Sequence, residues 1–439
     1  MYGGIANIIE QFETIHDFIK YILQICKIQL YLLAVIGEKN MYERQHLQIL
    51  KSRMAEPRRT IQVIMGPRQV GKSTLIDQFT EKADVPCSLF SADGVGKNNT
   101  EWISEKWHEA RTLMMLNKEP ERILIIDEIQ KIALWSEAVK KEWDQDTRDK
   151  RNLKVILLGS SRLLIQKGLE ETLAGRFETI KMGYWEWPEM HDAFGLTMEE
   201  FVYFGGFPGL APYIGDEERW RDMMEDSIIN PILTRDILEI EEIRNPALLR
   251  QVFEVASIYS AHELSMTKMQ GVINSGTVPT IGSYLRILDE TMLVKPMLKY
   301  EPSAVGTRNS VPKLQTYNNA FKNRWYEHSF KEALSNKTEW GRQVESAVGA
   351  FLLGRSVTDK FDVMYWRNDK KKECDFVLKK GERLIAIEAK SGSARNDSGY
   401  QEFKDKYKDS IVHSFIAGPE GLPLEDFFRL DFKELFKQG

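Results

Sequence analysis

The chain has 439 residues, 42% of them hydrophobic and 28% charged, with a formal net charge of −5. This is the balance of an ordinary soluble, globular polypeptide of about three domains at ~150 residues each, with no internal repeat or low-complexity tract. The net charge does not point to nucleic acid, for which local patches decide, and the scattered Cys26, Cys87 and Cys374 form no metal-ligand spacing and argue for a reducing, cytoplasmic setting.

Residues 1–40 read as an N-terminal extension. Phe18 to Gly37 is apolar-rich, but Lys20, Gln24, Lys27 and Gln29 interrupt it. Its longest apolar piece, Leu30 to Ile36, falls far short of the ~20 residues that span a bilayer. Glu10, Glu13 and Asp17 stand where a secretory signal carries basic residues. An amphipathic helix or a non-native extension is expected, with Met41 as an alternative start and no membrane partner.

Next comes an apolar-rich run, Ile61, Val63, Ile64 and Met65, which predicts a buried strand. Gly66, Pro67, Arg68, Gln69, Val70, Gly71, Lys72, Ser73 and Thr74 follow, and Gly66 to Ser73 fit G-x-x-x-x-G-K-[ST], a phosphate-binding loop. Its glycines allow a tight curl that turns successive N–H groups toward phosphate oxygens. Lys72 supplies an ammonium for the β- and γ-phosphates and Ser73 a hydroxyl for Mg²⁺. Thr74 to Phe79 predicts the start of a helix, with Leu75 and Phe79 on one face.

The run Ile123 to Glu128, ILIIDE, predicts a strand covered on both faces, with two acids at its carboxyl end. Asp127 is placed to hold Mg²⁺ and Glu128 to act as general base on the attacking water. A further strand, Lys154 to Ser161, brings Ser160 to the expected γ-phosphate position; then come Leu173-Ala174-Gly175-Arg176 and a β-like run over 177–182.

This order resembles the AAA+ superfamily of ring-forming ATPases. The resemblance gives Ser160 the place of a polar sensor and Arg176 that of an arginine finger reaching a neighbouring subunit's ATP; a plain surface arginine is the alternative.

Tyr203 to Pro212, YFGGFPGLAP, predicts a turn or hinge. Asp216 to Glu242 predicts a largely helical stretch, broken or kinked at Pro231; its Arg235-Asp236 pair suits either an inter-subunit or sensor contact, or a solvated face. Helical patterns over 248–259, 264–273 and 277–292, followed by a β-wing over 293–300, resemble a winged helix-turn-helix. Its third helix is expected to expose Thr280, Ser283, Tyr284 and Arg286, a thin basic complement for DNA.

The last segment predicts a helix over 341–353 and strands at 363–367, 374–378 and 384–390. Alternation puts Glu388 and Lys390 on one face, and a hairpin would bring Asp375 opposite them. Asp375 and Glu388, with Glu345 from the helix, then form a carboxylate set for Mg²⁺ or Mn²⁺, and Lys390 can orient a water. Asp…Glu-x-Lys resembles the PD-(D/E)xK nucleases; a salt-bridged, inactive cluster is the alternative. Lys370, Lys371, Lys372, Lys379 and Lys380 suit either phosphate contact or solvated hairpin tips.

The whole order resembles prokaryotic AAA+ ATPases with a C-terminal DUF4143 domain, carried by GPRQVGKST, ILIIDEIQ, LLGSS, LAGRF, YFGGFPG and DFVL through IEAKSG. Asn318-Asn319-Ala320-Phe321 departs from it, standing where that group usually shows an Asp and a Gly. The expected architecture is α/β: a P-loop AAA+ parallel-sheet domain (41–204), a helical lid and winged-helix region (205–300), and a small α/β restriction-endonuclease-like domain (301–439). The expected partners are ATP, further copies of the chain and DNA. The expected function is ATP-driven DNA processing; the alternative is an ATP-dependent regulatory switch whose nuclease fold binds a partner without catalysis.

Overall fold

Four strand-like runs and one strand the sequence did not suggest become one sheet in the computed structural model, which describes residues 41–159, 169, 172–240, 243–303, 307, 310–392 and 399–437. The 1–40 extension and Ser160 therefore lie outside the described residues. Strands β1 (Ile61–Met65), β2 (Cys87–Ser91), β3 (Arg122–Asp127), β4 (Leu153–Gly159) and β5 (Phe177–Lys181) pair in parallel in the order β2-β3-β4-β1-β5. Every residue of β1 and β4 is buried, as helices on both faces of a parallel sheet require. The core on one face joins Val63, Leu124 and Val155 from the strands to Trp107 and Val139 from the helices Glu101–Leu116 and Trp135–Arg148. The phosphate loop follows β1 and the acid pair ends β3, so both stand at the carboxyl edge of the sheet, where ligands of such sheets bind.

The chain then turns helical. Met198–Phe204 starts on a Thr197–Glu200 capping box and stops at Gly205, whose φ of +72° suits glycine. At Gly206 a Cβ would lie 1.9 Å from the Trp185 carbonyl oxygen, so the hinge glycine permits close main-chain approach. Beyond Glu217–Met224, the expected break at Pro231 does not occur. Instead π-helical turns over Glu225–Ile229 and Ile232–Asp236 flank the proline, and the helix continues through Ile237–Ile240. Pro231 has no N–H to give the Ser227 carbonyl four residues earlier, and the wider turns absorb the mismatch.

Helices Pro246–Ile258, Met266–Ile273 and Val278–Glu290 follow, with an antiparallel sheet of β6 (His262–Glu263), β7 (Val294–Met297) and β8 (Lys313–Thr316) in the order β6-β8-β7. Tyr284, expected on the exposed face, is buried and its hydroxyl bonds Asn245. It stands three residues from Ile281 and four from Leu288, inside the apolar stripe.

The long helix Lys337–Asp359 packs against β8 and a mixed four-stranded sheet of β9 (Asp362–Arg367), β10 (Glu373–Lys380), β11 (Arg383–Ala389) and β12 (Ile411–Ala417), ordered β12-β11-β10-β9. The β10–β11 pair is the expected hairpin. Gly349 lets the helix approach β8 closely: a Cβ there would sit 2.2 Å from Gln315 Oε1 and 2.9 Å from the Phe376 ring. Gln315 is fully buried and its Nε2 donates to the carbonyls of Thr316 and Ser346, so it has no room to yield. Gly349→Ala is expected to cost about 1–3 kcal/mol of stability, read as an earlier urea midpoint with an unchanged slope.

Candidate functional site

The phosphate loop is built by main-chain geometry. Gly71, at φ +90°, turns the chain into the helix Lys72–Glu81. Gly66 lies against the chain after β5: a Cβ there would sit 2.2 Å from the Met182 carbonyl oxygen. Val70 is buried at the loop's tip, and its carbonyl accepts from Trp185 Nε1 at 3.0 Å and Arg44 Nη1 at 3.1 Å. Arg44 is itself held by two bonds to Glu189, at 2.7 and 2.8 Å. Pro67 is buried, Ser73 is exposed and Thr74 half-buried at the first turn of the helix.

Lys72 is buried and its Nζ donates to the carbonyls of Gly66 at 2.9 Å and Pro67 at 2.7 Å. Burial pushes its ammonium down to about 8, against the raising influence of Glu128 and Asp127. Burial, and then Glu128, raise the Asp127 carboxyl above its ordinary range. Asp127 Oδ1 accepts the Glu128 N–H at 2.8 Å, and Glu128 adopts a left-handed φ of 53°. That conformation is costly for a residue with a Cβ. Gln130 Nε2 holds the Glu128 carboxylate at 2.6 Å.

The variable positions of the loop carry contacts that sequence reasoning missed. Arg68 makes a bidentate pair with Asp236, at 2.5 and 2.6 Å. Gln69 Nε2 donates at 2.9 Å to the Ser227 carbonyl, the oxygen that Pro231 leaves without its usual partner. A proline inside an otherwise helical pattern was the available signal. The Arg235-Asp236 pair divides: Arg235 is exposed, Asp236 buried against Arg68. Arg176 stands at the amino edge of the sheet, where its carbonyl accepts the Ile61 N–H, and its guanidinium pairs with Asp144 at 2.8 and 3.2 Å.

A second cluster forms where three elements meet. Glu345 comes from the long helix, and Glu373 and Asp375 from β10; oxygens of all three lie within 4.8 Å of one another. Lys313 of β8 is already inside: its Nζ lies 2.5 Å from Glu345 Oε1 and 2.5 Å from Glu373 Oε1. Burial would lower that ammonium, but Glu345 and Glu373 hold it well above its ordinary range. Asp375 Oδ2 accepts the Ala389 N–H at 2.9 Å; burial, then Glu345 and Glu388, raise its carboxyl well above the usual range. Glu388 is turned away to Lys390, at 2.6 Å, and its Oε2 is buried with no hydrogen-bond partner among the described residues. Of the four expected residues, Glu345 and Asp375 meet in this cluster and Glu388 pairs with Lys390, while Glu373 and Lys313 join unforeseen. The donor set of Glu345, Glu373 and Asp375 does not fit a metal as it stands, because an ammonium already uses two of its carboxylates. Lys370 and Lys371 are exposed in the β9–β10 turn, and Lys380 bonds the Asp359 carbonyl.

Residues 58–191 match the family model of an AAA domain. Residues 196–327 match a domain of unknown function, DUF8612, and residues 340–429 another, DUF4143. No curated protein matches the chain. Among solved structures, the Thermotoga maritima RuvB Holliday junction branch migration motor is 14% identical over 57% of this chain and 86% of its own, with a TM-score of 0.29. A single-substitution variant of Thermotoga maritima RuvB is 15% identical over 65% and 92%, with a TM-score of 0.31. The chain therefore carries an AAA domain and a DUF4143 domain, as the sequence resemblance implied. No helix among the described residues is long and apolar enough to cross a membrane.

A triphosphate beside Lys72 restores its ammonium toward the ordinary range. Nucleotide binding with Mg²⁺ at pH 8 is therefore expected to take up about half a proton, and next to none at pH 6.5, where Lys72 is already charged. Calorimetry in buffers of different ionisation enthalpy reads the uptake; equal uptake at both pH values counts against this assignment.

Proposed function

We propose that the chain binds and hydrolyses ATP and uses the change of nucleotide state as a mechanical switch. One observation carries this reading: the phosphate loop and the acid pair share the sheet's carboxyl edge, and the loop is tied through Arg68 and Gln69 to the helical segment 225–240. N–H groups of 66–74 and the Lys72 ammonium bind the phosphates, and Ser73 and Asp127 would hold Mg²⁺, which supplies charge neutralisation between the β- and γ-phosphates. Glu128 takes a proton from water as the water oxygen attacks the γ-phosphorus, while the bond to the ADP oxygen breaks. Ser160 as sensor belongs to the same proposal. So does Arg176 as the finger of a neighbouring subunit in a homo-oligomer, where it would have to exchange Asp144 for a phosphate.

The division into 41–204, 205–300 and 301–439, and a winged-helix character for 246–316, are kept as part of this reading. The three helices and the β6-β8-β7 sheet support the latter. DNA contact through it draws little support from the third helix, where exposed Arg286 is paired with Glu290 at 2.8 Å.

For the C-terminal domain, Lys313 inside the carboxylate cluster favours a non-catalytic, partner-binding role. The second reading, metal-dependent DNA cleavage with Mg²⁺ or Mn²⁺ at Asp375, Glu388 and Lys390, is favoured by the buried Glu388 Oε2, which has no hydrogen-bond partner among the described residues. ATP turnover with and without single-stranded, duplex and four-way-junction DNA, with cleavage read from the same samples, separates them. Slow, DNA-indifferent turnover without cleavage supports the switch; cleavage lost in Asp375→Ala and Lys390→Ala supports the nuclease. Glu128→Gln is expected to lower turnover about 10²–10⁴-fold while ATP still binds; unchanged turnover would remove Glu128 from its role.

A further inference from the structure

The carboxylate cluster of the C-terminal domain contains a cation that belongs to another part of the chain. Lys313 lies outside the segment 340–429 that matches DUF4143, whereas Glu345, Glu373 and Asp375 lie within it. Each of the three acids has an oxygen already committed: Glu345 and Glu373 to the Lys313 ammonium, and Asp375 to the Ala389 N–H. A divalent ion shared by the three carboxylates at about 2.0–2.6 Å would have to stand beside the Lys313 ammonium, whose like charge repels it and which already neutralises two of them. Lys390 does not compete for them, because it faces Glu388.

Lys313 is also delivered rigidly. Strand β8 is the middle strand of its sheet, with Lys313 opposite Glu263 on one side and Met297 on the other. Its Nζ stands 5.3 Å from the Phe376 ring centroid, and the residue is 1% exposed. Two residues on, Gln315 is locked against Gly349 of the helix that carries Glu345. Arg367 adds a second tie between the modules: it pairs with Glu263 of β6 and approaches Glu373 at 3.6 Å.

We infer that Lys313 is the resident cation of this cluster, standing where a divalent metal would otherwise be held, and that Glu345, Glu373 and Asp375 work without a metal. The inference deepens the non-catalytic reading of the C-terminal domain and is independent of ATP hydrolysis. It predicts a specific exchange: removing the ammonium leaves two inward carboxylates uncompensated, which is destabilising for a buried pair, and opens a cation site in the same place.

Mn²⁺ titration of the nucleotide-free full chain, followed by electron paramagnetic resonance, tests it. The wild type is expected to show no tight site, and Lys313→Met to gain a single one per chain that is lost again when Asp375→Asn is added. The unfolding midpoint of Lys313→Met should fall by several degrees and recover with Mn²⁺, to which the wild-type midpoint is indifferent. Tight wild-type binding that Glu345→Gln or Asp375→Asn abolishes overturns the inference, as does a folded Lys313→Met protein that gains no site. Should that variant fail to fold, Lys313→Gln is read in the same way, and the wild-type titration decides by itself. DNA cleavage by the wild type would sink the non-catalytic reading, whereas bound Mn²⁺ without cleavage sinks only the inference drawn from Lys313.

Discussion

The curl of main chain between Gly66 and Gly71 depends on donors that lie outside it. A loop that turns its N–H groups toward a ligand must leave its carbonyls pointing the other way, and a buried carbonyl without a donor costs free energy comparable to a lost hydrogen bond. Lys72 satisfies Gly66 and Pro67, while Trp185 and Arg44 satisfy Val70. These donors come from the helix after the loop, from the segment beyond β5 and from the chain ahead of β1. The concave surface that faces a phosphate is thus the outer side of a hydrogen-bonded knot whose inner side is tied to much of the AAA domain. Lys72 has two successive duties in this arrangement, first as the knot's internal donor and then, in the proposed function, as a ligand of phosphate.

The same loop faces the helical region through its variable positions. Arg68 and Gln69 reach Asp236 and Ser227, on either side of Pro231. From that helix, Glu225 pairs with Arg250 and Arg324, and Asn230 accepts from Arg250 at 2.7 Å. The Asn319–Arg324 helix then bonds the long helix of the C-terminal domain, Lys322 to the Arg342 carbonyl and Asn319 to the Gln343 side chain. A continuous line of polar contacts therefore runs from the loop to the helix that bears Glu345. Spatial continuity alone is an associational argument for coupling. The π-helical turns add a physical one, since they are the place where the hydrogen-bond register of the helix already departs from α.

Much of this was legible from the residues. The strands β1, β3 and β4 announced themselves as apolar-rich runs because both faces of a parallel sheet are covered, and the loop letters follow from chemistry that few sequences can imitate. The β10–β11 hairpin was readable from alternation, which set Asp375 across from Glu388. By the same alternation Glu373, two residues from Asp375, belonged on that face, and counting one step further back would have found it. Lys313 had no such signal: a single lysine in a short strand reads as a solvated edge position, and only the tertiary approach of β8 to the long helix makes it internal. Asn319, in the stretch that departs from the related group, and Asn323, two residues beyond that stretch, serve as buried ties, donating to the Val202 and Tyr203 carbonyls at the end of the helix before Gly205. Their role lies in a partner more than a hundred residues away, which no local pattern encodes.

The boundary between the second and third family matches falls within 328–339, between Lys313 on one side and Glu345 and Glu373 on the other. Cutting there would separate an ion from its counter-ions. The excised C-terminal piece would carry an acidic face that Lys313 neutralises in the intact chain, and would attract cations for reasons unrelated to its native task. Chemistry detected in such a fragment would describe the cut, and the smallest faithful unit for studying this face extends back to include β8.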